Sequence, residues 1–319
     1  MPRQPEVSVF AVLAGCLESG ICHSQRMRAA IPFIQAPTTG NGSNGMCCRR
    51  SSESRNPPNC GQRISPWEAP LTPSPILKVL SSLRKNGVRY LLMGGQACVV
   101  YGGAEFSRDT DIVVVADHDN LRRLEAAVAE LQAEVIAIPP FEAGHLQAGL
   151  AVHFRCHVPE AAGIRLDVMS TLRGLPEFEI LWSRRTTIDV AGQPIELLAL
   201  PDLVTAKKTQ REKDWPMITR LLEAHWMQTP RPASDAVIAF WLSELRTPNL
   251  LIQAAADSRD TATRLSRQRP LLTAAIARDE PEVRRMLQAE QEAEQAADRA
   301  YWQPRKQQLE ALRLSRRND

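Results

Sequence analysis

The sequence predicts an α/β (α+β) fold, with a mixed sheet flanked by helices and followed by a helical C-terminal part. Short apolar runs of strand length, such as 88–93 and 164–170, alternate with longer segments of helical periodicity. Beyond about residue 202 only helical patterns remain. With 319 residues, the chain is long enough for one or two domains with a substantial core.

The individual elements follow from local signals. Ser74, Asp119 and Asp202 each stand before a helical pattern and are predicted N-caps. Pro75 suits a first helical position, and Gly87 is predicted to end this helix in a left-handed turn. The remaining expected elements are strand 88–93, helix 96–101, strand 111–116, helix 120–133, strands at 149–155 and 164–170, a hairpin at 186–198 turning at Ala191-Gly192, and helices at 202–211, 214–227, 233–257 and 280–315.

Composition divides the chain into three regions. Residues 1–70 are rich in Ser, Asn, Gly, Pro and Arg with little periodicity, which predicts a mostly disordered N-terminal extension. Residues 71–228 carry the alternating strand and helix signals, and 229–319 form the expected helical C-terminal region. Within that region, 280–315 has few apolar positions among many Glu, Gln, Arg and Ala residues. This pattern predicts a solvated or partner-binding helix.

Three carboxylates are predicted to meet on one face of the sheet. Asp109 and Asp111 are spaced i, i+2, so on an extended strand their side chains point to the same face. Asp167 lies inside another apolar run, where a carboxylate is either exposed or paired, and a neighbouring strand would bring it close. Two such charges ~4 Å apart repel by roughly 4 kcal/mol at an effective dielectric of 20. A divalent cation relieves this repulsion, and oxygen-only ligands favour Mg²⁺ or Mn²⁺ together with substrate phosphates.

The order of these motifs resembles that of the polymerase-beta-type nucleotidyltransferase superfamily. The similarity lies in Met93-Gly-Gly-Gln-Ala-Cys98, then Ser107-Arg-Asp-Thr-Asp-Ile112, then Asp167. Within the superfamily the sequence of these motifs is most similar to that of the bacterial minimal nucleotidyltransferases, including the AbiEii-like toxin enzymes. Leu200-Pro-Asp-Leu-Val-Thr-Ala-Lys207 and Arg211-Glu-Lys-Asp214 are similar to a second motif of that group. The resemblance covers about 76–225.

The resemblance implies a nucleotidyltransferase that moves a nucleoside monophosphate from an NTP such as ATP to a hydroxyl of RNA, protein or a small molecule. Its catalytic and metal-binding residues would be Asp109, Asp111 and Asp167, with Mg²⁺ or Mn²⁺ as cofactor. Its nucleotide-binding residues would be Gly94, Gly95, Arg108, Lys207 and Arg211. Lys207 and Arg211, spaced i, i+4, would share a helix face. The toxin-like similarity favours RNA or protein as acceptor and an antitoxin-like protein as partner.

Three alternatives stay open at this stage. Many relatives carry both carboxylates after the Thr. If Asp111 aligns with the first of them, Val113 takes the place of the second and the metal pair is broken. The fold would then serve a catalytically degenerate binding or regulatory protein. An interaction protein, with a helical tail that pairs with a partner, is the remaining alternative.

Other residues predict no further kind of site. The net charge of +3 gives no strong overall field for nucleic acid or membranes, and aromatic residues, at 5%, are too sparse for an obvious base-stacking platform. Five of the seven cysteines fall irregularly in the first sixty residues without a Cys-x-x-Cys pair, so no zinc site is expected there. Cys98 and Cys156 are expected to be reduced core residues. Strand alternation would separate Cys156 from His153 and His157.

The sequence also predicts a cytoplasmic location and no membrane span. No run of 18 or more apolar residues occurs. The short apolar run Val7–Gly15 precedes Cys16 and is similar to a lipoprotein cleavage site, but Glu6 interrupts the basic flank that such a signal requires. Reduced cysteines and nucleotide chemistry both fit the cytoplasm better than export.

Overall fold

The computed structural model describes residues 74–190 and 192–318, with side chains described as far as residue 315. The predicted N-terminal extension, 1–70, and its five cysteines therefore lie outside the described residues. The elements, in chain order, are α1 (Pro75–Lys85), β1 (Tyr90–Met93), α2 (Gly94–Val100), β2 (Asp109–Val114), α3 (His118–Glu130), β3 (Glu134–Val135), α4 (Ala143–Gln147), β4 (Val152–Arg155), β5 (Arg165–Met169), α5 (Phe178–Ser183), β6 (Thr186–Val190), β7 (Gln193–Leu197), α6 (Leu200–Lys207), α7 (Asp214–Gln228), α8 (Asp235–Glu244), α9 (Pro248–Asp257), α10 (Arg259–Leu265), α11 (Leu271–Ala277) and α12 (Glu280–Asn318).

The seven strands form one mixed sheet in the order β3-β4-β5-β2-β1-β7-β6. Strand β2 is parallel to β5, and β1 is parallel to β7, whereas β1 and β2 run antiparallel. Helices pack on the sheet, and α8 to α12 form the helical C-terminal part. The predicted fold class is therefore confirmed. The interior strand β1 is buried along its whole length, as its continuous apolar sequence predicts.

Two predicted helix starts are wrong by a few residues. The N-cap of α3 is Asp117, whose carboxylate accepts a hydrogen bond from the Asn120 amide at 2.7 Å, and Asp119 lies in the first turn. Asp202 does not cap α6, because that helix already begins at Leu200 with a proline in its first turn. Its carboxylate binds the Arg184 guanidinium instead, through two hydrogen bonds of 2.6 and 2.7 Å. Local propensity could not reveal that distant partner.

The predicted helix from Asp202 to Arg211 is shorter than expected. It ends at Lys207, because Lys208 leaves the helical region with φ −72° and ψ 71°. Asp214, at the start of the next helix, accepts the Thr209 hydroxyl at 2.6 Å and thereby draws the chain into a turn. Lys207 and Arg211 therefore do not share the face of one helix.

The long C-terminal helix α12 is more buried than its sequence predicts. Its first turns place Val283 and Leu287 in the hydrophobic core, and Asp298, farther along, is 2% exposed. The expectation of a solvated or partner-binding helix rather than core is therefore wrong for the buried positions Val283, Leu287, Gln295 and Asp298, whereas the other residues of 280–298 are exposed or half-buried. None of the helices in the described part of the chain combines the length and apolar character needed to cross a bilayer.

Candidate active site

Strand register places two of the three predicted carboxylates side by side. Asp111 on β2 stands directly opposite Asp167 on the parallel strand β5. On the other side of β5, His153 of β4 is the register partner of Asp167. Asp109, two residues before Asp111, stands opposite Arg165. Because residues two apart share a face, Asp109, Asp111, Arg165 and Asp167 all belong to one face of the sheet.

The two glycines border this face. Gly94 has φ +66°, and a Cβ atom there would come closer than 3.0 Å to the Asp111 carboxylate. A Cβ atom on Gly95 would collide in the same way with the Ser107 side chain. The Gly95 N–H group, at 3.4 Å, faces one oxygen of Asp111. Any side chain at either position would therefore displace Asp111 or the segment that leads to Asp109.

Asp111 is the electrostatically strained carboxylate of the site. Burial raises its pKa above the usual value, and the nearby charge of Asp167 raises it further. Asp109 adds to the rise, while Lys207 and the Gly95 amide oppose it. The Asp111 carboxylate thus lies within electrostatic range of both other acids and of one predicted phosphate-binding lysine. This is the mutual repulsion that a bound cation would relieve.

Asp167 is compensated by two residues that the sequence interpretation did not include in the site. The Arg165 Nε donates a hydrogen bond to its Oδ1 at 2.7 Å, and His153 Nδ1 lies 2.8 Å from the same oxygen. Arg165 also approaches His153 at 3.0 Å. The i, i+2 spacing of Arg165 and Asp167 on a strand was a signal available in the sequence. The contribution of His153 depends on how β4 pairs with β5, which spacing alone does not determine.

The donor set fits a hard divalent cation in its chemistry. Asp109, Asp111 and Asp167 supply only oxygen donors on one sheet face, and the strained Asp111 gains most from a positive charge. Within 74–190 and 192–318, however, no three His, Cys, Asp or Glu side chains converge closely enough to hold a metal ion. The Arg165 guanidinium, bound to Asp167 and also acting electrostatically on Asp109 and Asp111, supplies positive charge within this cluster.

The two predicted phosphate-binding cations meet at a fourth carboxylate, Asp214. Lys207 Nζ lies 3.5 Å from one of its oxygens, and Arg211 Nε donates to the other at 2.8 Å. Lys207 is 8% exposed and acts electrostatically on Asp111, so it lies near the acidic face. The Arg211 side chain remains half-exposed. The structure therefore brings Lys207 to the site and leaves Arg211 on the outer side of Asp214.

Arg108 and an exposed aromatic residue stand at the approach to Asp109. The Arg108 guanidinium lies 5.9 Å from the ring of Phe106, which is 62% exposed. Ser107, which lies between Phe106 and Arg108 in sequence, is held in place because the Gln96 side chain donates a hydrogen bond to its carbonyl at 2.6 Å. The sequence did not single out Phe106, because the criterion for a base-stacking surface was a cluster of aromatic residues. A single exposed ring beside an arginine suits one nucleobase.

The histidine and cysteine residues near β4 do not form a zinc site. His157 lies 3.8 Å from Glu134, away from the His153 contact with Asp167. Cys98 and Cys156 are both buried, as expected for core residues. Burial raises the pKa of each thiol to about 11, so both are protonated and unreactive at neutral pH.

Comparison with known proteins gives a distant structural likeness. No protein-family model matches the chain, and a search of curated protein sequences finds no match. Among solved structures, the chain is similar to an antigenic nucleotidyltransferase-like protein from Paracoccidioides brasiliensis, with 19% sequence identity and a TM-score of 0.34 over 64% of this chain and 90% of that chain.

Proposed function

We propose that this protein is a metal-dependent nucleotidyltransferase that moves a nucleoside monophosphate from an NTP to an acceptor hydroxyl. The observation that carries the proposal is the opposition of Asp111 and Asp167 on neighbouring parallel strands, with Asp109 on the same face. The raised pKa of Asp111, which follows from burial and from Asp167, supports it, because perturbed carboxylates are typical of catalytic sites. The glycine pair beside Asp111 supports it as well.

The residues of the chain take distinct roles in this reaction. Asp109, Asp111 and Asp167 do not converge into a metal site within the described residues, so they would have to move closer together to hold Mg²⁺ or Mn²⁺, which would supply charge stabilisation for the attacking and leaving oxygens. Gly94 and Gly95 let backbone N–H groups approach the triphosphate without a side chain in the way. Lys207 and Arg108 would bind its phosphates, and Arg211 would assist from the outer side of Asp214. Asp167, held by Arg165 and His153, would draw the proton of the acceptor hydroxyl.

The rim of the site favours a nucleic-acid acceptor over a protein or a small molecule. Phe106 offers an exposed ring for stacking on a base, and Arg108 beside it offers a cation for a phosphate. This local pairing compensates for the low net charge of the whole chain, since a few contacts suffice to place one strand end. A toxin-like role on RNA, controlled by an antitoxin-like protein in the cytoplasm, is the form of this proposal that the motif similarity favours.

A catalytically degenerate nucleotide-binding protein is the second candidate, and one contact favours it. The Arg165 guanidinium already neutralises Asp167, so the described acidic face is partly compensated without a metal ion. In that case the chain would bind a triphosphate through Lys207 and the glycine pair and act through a partner. The two candidates differ in whether label is transferred from the α-phosphate.

The first experiment is therefore transfer of label from each α-labelled NTP, in Mg²⁺ or Mn²⁺, to cell RNA and to cell protein. The test variant is the double substitution Asp109→Ala with Asp111→Ala in the full chain. A matched control removes two exposed acids of α3, Asp119→Ala with Glu125→Ala, and so changes the net charge equally. We expect metal-dependent label that the test variant reduces by about 10³-fold or more and the control leaves unchanged, because the lost stabilisation amounts to several kcal/mol.

The result also separates the candidates. Label that appears on RNA but not on protein would support the nucleic-acid acceptor. A lower yield of labelled RNA from the Phe106→Ala variant would locate the acceptor at the rim. Absence of label from every NTP, with retained metal-dependent binding of a triphosphate, would contradict the enzyme and support the degenerate candidate. Equal label from wild type and the double variant would show that the activity does not belong to this site.

A further inference from the structure

The loop between α6 and α7, residues 208–213, is held in place by the C-terminal helix. Asp298 of α12 accepts a hydrogen bond from the Gln210 amide at 2.8 Å and another from Arg173 Nε at 3.1 Å. Arg173 in turn donates to the Lys208 carbonyl at 2.5 Å and to Glu294 of α12 at 3.0 Å. Asp298 and Arg173 therefore fix the backbone of this loop at two successive points.

The far end of the same loop makes a second set of contacts with α12. The Gln295 side chain donates to Glu212 at 2.8 Å, and Gln291, one turn earlier, donates to the same carboxylate at 3.3 Å. Gln295 is buried, although glutamine is usually exposed in a helix of this composition. The polar residues that made α12 appear solvated in the sequence are thus the residues that bind the loop.

The loop connects the two partners of the ion pair beside the acidic face. Lys207 immediately precedes it, and Asp214 follows it, with 3.5 Å between the Lys207 Nζ and the Asp214 carboxylate. Within the loop, Thr209 donates its hydroxyl to Asp214 and accepts the Trp215 indole N–H at its carbonyl. Helix α6, which ends at Lys207, packs against α2, the helix that begins at the glycine pair beside Asp111. A shift of the loop would therefore change the position of Lys207 relative to Asp111.

We propose that Asp298 is a positioning residue for triphosphate binding, which acts through loop 208–213 on Lys207. The functional part of this inference rests on the proposed nucleotidyltransferase, since it takes Lys207 as a phosphate-binding residue. The mechanical part does not depend on that function, because the contacts from Asp298 to Gln210 and Arg173 are made within the chain itself. The first half of α12 thus brings Asp298 to Gln210, a residue 88 positions away in sequence.

The test uses the full chain and the variant Asp298→Asn, which keeps an acceptor oxygen for Gln210 but loses the charge that Arg173 binds. A second variant, Gln295→Met, removes the hydrogen bond to Glu212 at similar volume and guards against a failure of the first to fold. The matched control is Glu282→Gln, which also removes an ion-paired carboxylate from α12 but at an exposed position beside Arg285. All three are compared with wild type by thermal melting before use.

Two measurements are made on each variant. Amide hydrogen exchange reports the stability of 207–213, and calorimetric titration with inorganic tripolyphosphate and Mg²⁺ reports phosphate binding without any choice of base. We expect about tenfold faster exchange in the loop and about tenfold weaker tripolyphosphate binding for Asp298→Asn. Gln295→Met should follow in the same direction, and Glu282→Gln should match wild type. In a Lys207→Met background, Asp298→Asn should cause no further loss of binding, because it acts through Lys207.

Three outcomes would overturn the inference. Unchanged exchange in 207–213 for both test variants would contradict the mechanical coupling. Faster exchange with unchanged tripolyphosphate affinity, or an additive loss in the Lys207→Met background, would show that Asp298 is structural only. If wild type itself fails to bind tripolyphosphate, the phosphate site of the proposed function is wrong and the role of Asp298 in binding is wrong with it. The exchange data would then still decide whether α12 fixes the loop.

Discussion

Asp298 on the C-terminal helix is buried and Asp111 on the sheet is half-buried, and the two carboxylates have opposite electrostatic surroundings. Asp298 receives the Arg173 guanidinium and the Gln210 amide, at 3.1 and 2.8 Å. Asp111 faces Asp167 in register and receives a single distant amide, that of Gly95, among the hydrogen bonds of the described residues. A carboxylate with hydrogen-bond and ion-pair partners stabilises the fold, whereas one without them can still bind a cation or a ligand. The contrast supports the proposal that the sheet face binds a cation and a nucleotide and that α12 positions the loop beside it.

The largest effect expected from this contrast is an opposite change of stability at the two positions. Asp298→Ala should lower the free energy of unfolding by about 3 kcal/mol, because it removes one partner of a buried ion pair. Asp111→Asn should raise it at neutral pH, because burial and Asp167 make the ionised form unfavourable. Urea unfolding of wild type and both variants at several pH values gives the change in the free energy of unfolding that each substitution causes.

The sign of the pH dependence follows from the raised pKa of Asp111. Below pH 3.8, the pKa of Asp111 in the unfolded chain, the carboxyl group is protonated in both states and the wild type keeps its full stability. This stability is lost as the pH rises through the higher pKa of the folded state, because the group must then ionise within the fold. The gain from Asp111→Asn should therefore vanish in acid and grow toward neutral pH. Millimolar Mg²⁺ should stabilise wild type and not the variant, if the carboxylate holds a cation. A destabilised Asp111→Asn protein at pH 7 would contradict the contrast.

A somewhat smaller effect is expected when the glycine beside Asp111 gains a side chain. Gly94→Ala should lower the free energy of unfolding by about 1–3 kcal/mol, since φ is +66° and the new Cβ atom would collide with the Asp111 carboxylate. Gly144→Ala is the control, because nothing lies within 4 Å of a Cβ atom there and the residue is in helix α4. That change should be neutral or stabilising by about 0.5–1 kcal/mol. Equal melting temperatures for the two variants would show that Gly94 is not under this constraint.

The smallest effect concerns the compensation of Asp167 by Arg165. Arg165→Gln should raise Mn²⁺ affinity a few-fold, about 1 kcal/mol or less, because a half-exposed guanidinium no longer competes for the carboxylate. Arg155→Gln is the control for net charge, since Arg155 is exposed and stands opposite Arg165 in register on β4. Electron paramagnetic resonance of free Mn²⁺ measures both affinities. Weaker Mn²⁺ binding in Arg165→Gln alone would assign Arg165 a supporting role at the metal instead.

Much of the α/β part could be predicted because its signals are local and periodic. The strand around Asp167 and the Asp109–Asp111 strand were found from apolar runs, and Gly87 ends its helix with φ +70° as expected. Small elements were missed, among them β3 and α4 and the short helices α10 and α11, because two to seven residues give little periodicity. The cap of α3 was assigned two residues late, since both Asp117 and Asp119 have the chemistry of an N-cap.

The candidate site was predicted less completely than the fold, and the missing residues share one property. Strand pairing and side-chain direction bring Arg165 and His153 to the site, and the exposure of its ring identifies Phe106 as part of the rim. Lys207 and Arg211 were placed on one helix, but the turn that Asp214 stabilises through Thr209 separates them. Each of these outcomes depends on a partner that spacing along the chain does not specify.

The sequence by itself determined the order of the longer strands and helices of the α/β part, the glycine pair and the spacing that puts Asp109 and Asp111 on one face, because backbone geometry fixes these over a few residues. Only the tertiary structure decided that Asp111 meets Asp167, that Arg165 and His153 compensate Asp167, and that Asp298 of α12 fixes the loop after Lys207. Those contacts join residues far apart in the chain. Their energies depend on burial and distance, which exist only once the sheet and the C-terminal helix have packed.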